Sequence, residues 1–123
     1  MSLDDLKNSL EESVLRSMRE YLIPEDDDEM EGFVPGYSTK DVNTCGEILL
    51  KYTDALSRAG GDQGKIIEQV KQTVLALNAL NEKCEHELIE TDQREDICHF
   101  MIAAVQAAGW DTDEDVTEEW REW

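Results

Sequence analysis

Positive charge is what this chain has least of. Eleven lysines and arginines stand against 30 aspartates and glutamates in 123 residues, a formal net charge of −19. Such a surface repels nucleic acid and anionic membranes, so neither is expected as a partner, and its long-range field can steer a basic protein. Cysteine is scarce as well. Cys45, Cys84 and Cys98 form an odd set with no close pair, which argues against the disulfide framework of a small secreted domain and fits a reducing cytoplasm. The N-terminus lacks the basic region and continuous apolar run of a signal peptide, because charged and polar residues separate Leu3, Leu6 and Leu10. No apolar stretch approaches the roughly 20 residues of a membrane span. Only two prolines are present, Pro24 and Pro35, both in one short segment.

What is there is periodic. At 40% hydrophobic, the chain can bury a modest core as one domain over residues 1–123. Leu3, Leu6, Leu10, Val14, Met18 and Tyr21 recur every three or four residues and predict a helix from about Leu3 to Leu22. Ser2 with Asp5 gives it a capping box, and Pro24 marks its far boundary. Residues 24–37 then read as an acidic loop, Glu25 to Glu31, with Phe33, Val34 and Tyr37 as apolar anchors.

A second helix starts near Ser38, where Asp41 completes another capping box. It should bury Val42, Cys45, Ile48, Leu49, Tyr52 and Leu56, and end at Gly60 and Gly61. The third, about Asp62 to Glu82, carries Ile67, Val70, Val74, Leu77 and Cys84, with Ile66, Leu75 and Leu80 widening the stripe as for a central helix. Thr91 is the expected N-cap of the fourth, whose buried face is Ile97, Phe100, Met101, Ala104, Val105 and Ala108. Gly109 should end it in a Schellman motif that brings Trp110 onto Val105. Thr112 and Asp115 predict a last, short helix with Val116, Trp120 and Trp123 on one side, closing an end of the core.

Charge divides along the same lines. Residues 1–37 carry −8, residues 38–81 are neutral, and residues 82–123 carry −11. Any binding face is therefore expected in the 24–37 loop or after Glu82, with the middle helices as scaffold.

Several groupings look chemical and have plainer readings. Asp111, Asp113, Asp115 and Glu122 follow part of a calcium loop's spacing, but Val116 stands where its turn needs glycine. Cys84, His86, Cys98 and His99 lack zinc-finger spacing, and both cysteines read as small core residues with the histidines near the surface. Acid pairs three apart, such as Glu82 with Glu85 and Glu87 with Glu90, resemble magnesium sites of helical nucleotide pyrophosphatases. Pairs of that kind arise by chance in a chain this acidic, and no basic cluster stands ready for phosphates.

The stretch Leu77, Asn78, Ala79, Leu80, Asn81, Glu82, Lys83, Cys84, followed by Leu88, Ile89, Glu90, Thr91, Asp92, Gln93, Arg94, Glu95, resembles small uncharacterised helical proteins of bacteria. Some of these are similar to immunity proteins encoded beside polymorphic toxins. The resemblance implies a cytoplasmic protein that acts by binding, its acidic surface masking the active site of a basic toxin such as a nuclease.

Together these readings predict an all-α, single-domain helical bundle of about four main helices plus a short C-terminal helix. The expected role is a non-enzymatic one, binding a basic protein partner without a cofactor or metal. Asp26, Asp27, Asp28, Glu114 and Glu118 are the interface candidates, with Trp120 as anchor. The competing expectations are a small metal-dependent nucleotide hydrolase and a self-associating structural protein.

Overall fold

Three successive stretches, α1 (Leu3–Leu10), a π-helical turn (Glu11–Leu15) and α2 (Arg16–Tyr21), make one continuous rod. Three more helices follow: α3 (Thr39–Ser57), α4 (Gln63–Lys83) and α5 (Thr91–Ala107). The computed structural model describes residues 2–21, 37–112 and 114–123, and of Tyr21 the backbone alone. Within those residues the protein is an all-α bundle with no strand. No helix there is long and apolar enough to cross a membrane. The expected anchors Phe33 and Val34 lie outside the described residues.

The starts of these helices obey local chemistry. Ser2 and Asp5 exchange reciprocal hydrogen bonds, the Asp5 N–H donating to Ser2 Oγ at 3.1 Å and the Ser2 N–H to Asp5 Oδ2 at 3.2 Å. Asp41 accepts from the Ser38 N–H at 3.0 Å, and Asp62 from the Lys65 N–H at 3.2 Å. At α5 the N-cap is Glu90 rather than Thr91. Gln93 Oε1 accepts from the Glu90 N–H at 3.3 Å, so Thr91 becomes the first helical residue.

The core runs between α3 and its neighbours. Leu6, Leu10, Val14 and Met18 meet Val42, Cys45, Leu49, Tyr52 and Leu56 of α3, with Ile97, Met101 and Val105 of α5 closing the cluster. Tyr37 is buried too, its hydroxyl donating to the Met18 carbonyl at 3.2 Å. The π turn adds Leu15 to the buried set, and Leu15 lies over Gly46, where a Cβ would come within 2.9 Å of its Cδ1. Helix α3, not α4, is the central element, because it packs on α1, α2, α4 and α5 whereas α4 lies chiefly against α3. Leu75, expected to be core, is accordingly 42% exposed on the outer side of that edge helix.

The α4 C-terminus ends in a Schellman motif built without glycine. The Glu85 N–H donates to the Glu82 carbonyl at 3.0 Å and the His86 N–H to the Asn81 carbonyl at 2.7 Å, with Glu85 at φ 58° and His86 at φ 63°. A side chain held in the left-handed region costs about 1–2 kcal/mol. Glu85→Gly is therefore expected to raise stability by about 0.5–1 kcal/mol, after allowing for the looser unfolded chain. A urea midpoint that stays put or falls would refute this.

Candidate functional site

The chain after α5 folds back against both α4 and α5, and its path is set by hydrogen bonds rather than by a helix. At the end of α5 the Gly109 N–H donates to the Gln106 carbonyl at 3.1 Å and the Trp110 N–H to the Val105 carbonyl at 3.2 Å. This is the expected Schellman motif, with Gly109 at φ 113° and its Cα side packed against Gly61. Beyond it the predicted short helix does not form: residues 116–120 are turn only. Asp115 Oδ1 accepts from the Thr117 N–H at 3.0 Å, two residues on, where a capping box would reach back from three.

Asn78 of α4 then takes the backbone. Its side-chain amide donates to the Trp120 carbonyl at 2.7 Å and accepts from the Glu122 N–H at 3.1 Å, so that N–H is withheld from the Glu118 carbonyl that a helix would give it. Arg121 completes the fastening. Its guanidinium pairs with Asp115 at 2.9 Å, donates to the Cys98 sulfur at 2.8 Å, and lies 5.4 Å from the Trp123 ring centroid. Val116, Trp120 and Trp123 pack half-buried against the core as expected for a closing end, but without the helix that their spacing predicted.

This course leaves a cavity of about 200 Å³ between α4 and the C-terminal segment. Trp110 and Trp120 wall it, Glu114, Asp115 and Glu119 bring carboxylates to it, and Ile67 and Val70 of α4 lie among its lining residues. No basic side chain lines it among the described residues. Burial alone would raise the Asp115 pKa, but the hydroxyl and backbone N–H of Thr117 and the Arg121 guanidinium outweigh it and hold the carboxyl below its ordinary range.

A folded-state pKa lowered in this way stabilises docking above the unfolded value of about 4, and that contribution is lost as pH falls through the folded value. Tryptophan emission should accordingly report a docked segment at pH 5 and a released one in stronger acid, with Asp115→Asn flattening the transition. An identical acid transition in Asp115→Asn would count against the assignment.

Of the sequence-predicted interface residues, Glu114 and Trp120 meet at this cavity. Glu118 is exposed but does not line it, and Asp26, Asp27 and Asp28 lie outside the described residues. The composition-based reading missed Trp110, Asp115 and Glu119. Trp110 was signalled by its place in the Schellman motif, which fixes where the ring starts its path.

The remaining groupings are plain. Cys84 and Cys98 are both buried, while His86 and His99 are exposed. Burial pushes the Cys45 thiol up to about 12 and the Cys84 thiol to about 11, so both stay protonated and unreactive near neutral pH. Among the described residues, no three His, Cys, Asp or Glu side chains converge in a way that could hold a metal ion. No family model matches this chain, and no curated protein or solved structure matches it.

Proposed function

We propose that this chain is a non-enzymatic acidic protein of the cytoplasm that binds a basic protein partner, in the manner of an immunity protein neutralising a basic toxin. The observation that carries the reading is the convergence of two indoles and three carboxylates on one cavity without a basic side chain among the described lining residues. Aromatic side chains with carboxylates beside them supply what a cationic contact needs, a desolvating wall and an opposing charge. The net charge of −19 adds long-range steering to that local site. Bacterial origin and the toxin itself enter through the resemblance of residues 77–95 to immunity-like proteins.

The test is coexpression with the product of the adjacent gene. Restored growth, and a one-to-one complex whose association slows steeply with added salt, are the expected results. Stoichiometric binding of magnesium, manganese or calcium in calorimetry, together with nucleotide turnover, would replace this reading with a metal-dependent hydrolase. Self-association that rises with concentration in sedimentation, without a partner, would favour a structural protein instead.

A further inference from the structure

We propose that the cavity between α4 and the C-terminal segment receives a single arginine or lysine side chain of the partner protein. The inference rests on reading the chain as a binder of a basic protein, and it gives that reading an atomic site. Size is the first argument. Ligand pockets for cofactors and drug-sized molecules run to roughly 300–1,000 Å³, and a cavity of about 150 Å³ holds benzene. At about 200 Å³ the space suits one long side chain and falls below the range of such ligand pockets.

Its chemistry is the second argument. The walls are apolar where Trp110, Trp120 and Val116 line them, while Glu114 and Glu119 are exposed and form no ion pair among the described residues. Asp115 is already matched by Arg121, so the unbalanced charge belongs to the two glutamates. A side chain with an aliphatic stem and a cationic head satisfies both parts, the stem against the indoles and the head near the carboxylates.

The fold also contains the same recognition in miniature. Arg121 lies over the Trp123 ring while pairing with Asp115, an arginine, an indole and a carboxylate in one cluster beside the cavity. Trp110 or Trp120 with Glu114 or Glu119 presents the second and third members of that set to an incoming chain. Arginine is favoured over lysine because its planar head can stack on indole and still donate to carboxylate.

The test uses the intact chain with its indole N–H groups followed by NMR, titrated with N-acetyl-arginine amide, N-acetyl-lysine amide and the neutral isostere N-acetyl-citrulline amide. Saturable shifts at Trp110 and Trp120 with both cations, larger affinity for arginine, and none with citrulline are expected. The double variant Glu114→Gln, Glu119→Gln changes only exposed groups and should keep its urea midpoint. It should bind the arginine probe about two- to thirtyfold more weakly, the range of two exposed charge pairs at about 0.2–1 kcal/mol each.

Equal responses to citrulline, or unchanged affinity in the double variant, would overturn the assignment. So would spermidine binding where neither blocked amino acid does, since the site would then serve a free polyamine. The two levels separate with the coexpressed partner. If it binds the double variant as tightly as the native chain, the cavity assignment fails and the binding function stands. If it binds neither while the arginine probe is still held, the binding function fails.

Discussion

Tyr52→Ala is expected to lower stability by about 4 kcal/mol, and Tyr52→Phe by only about 1 kcal/mol. Tyr52 is 1% exposed and sits on α3, the helix every other helix leans on. Removing its ring opens a cavity where α3 meets α5, and aromatic-to-alanine changes in such places cost about 3–5 kcal/mol. The hydroxyl is a smaller matter. It donates to the Met101 carbonyl at 2.9 Å, yet that carbonyl lies inside α5 and has the Val105 N–H as its helical partner. Losing the phenol therefore leaves no orphaned acceptor, and the deficit is about 1 kcal/mol, the net value of one hydrogen bond.

A domain of this kind has about 5–15 kcal/mol to lose, so Tyr52→Ala should drop the melting temperature by roughly 10–20 °C. Urea denaturation of the two variants checks both numbers. A Tyr52→Phe variant as damaged as Tyr52→Ala would mean that the hydroxyl, not the ring, holds α3 to α5. Burial also pushes the Tyr52 phenol far above its ordinary pKa. That raised value stabilises the fold below the unfolded tyrosine pKa of about 10 and withdraws the contribution in stronger alkali.

The parts of this structure legible in the sequence are those decided within about one helical turn. Ser2 with Asp5 and Ser38 with Asp41 meet because a side chain three residues on reaches the cap backbone. Gly109 and Trp110 likewise settle the end of α5 by local geometry alone. The buried stripe of α3 was equally plain, since periodicity marks the facing side of any helix covered along its length.

Periodicity does not say how many neighbours a helix has. Leu75 widens the apolar stripe of α4 as a central helix would, but α4 is an edge helix and the residue faces outward. The π turn is hidden for a related reason. Leu10, Val14 and Met18 fit an ordinary helix, so their spacing gives no sign that the Arg16 N–H donates to the Glu11 carbonyl five residues back, or that Leu15 lies over Gly46 on another helix. At the candidate site, Glu114 and Trp120 could be picked out by type. Their meeting with Trp110 and Glu119 depends on a fold-back of the chain that no local rule encodes.

That fold-back hangs on Asn78, which makes Asn78→Leu the sharpest test of the site's construction. Asn78 is 8% exposed, and its amide serves backbone groups 42 and 44 residues away, the Trp120 carbonyl and the Glu122 N–H. Leucine keeps the branched shape and satisfies neither. Two hydrogen bonds at about 1 kcal/mol each put the loss in docking near 2 kcal/mol. The Trp123 indole N–H, buried without a partner among the described residues, regains water on release and pulls in the same direction. The core should survive, because Val116, Trp120 and Trp123 pack on its edge while the α3 and α5 cluster closes without them. Release should then be local. Trypsin is expected to cut after Arg121 about thirtyfold faster, the population factor for about 2 kcal/mol, with helical circular dichroism unchanged. Tryptophan emission should shift to the red, and the arginine probe should lose its saturable response because Trp120 and Glu119 no longer face Trp110. Unchanged cleavage and emission would show that the tryptophans hold the segment by packing alone. A cooperative loss of helix would show that the segment belongs to the folding core.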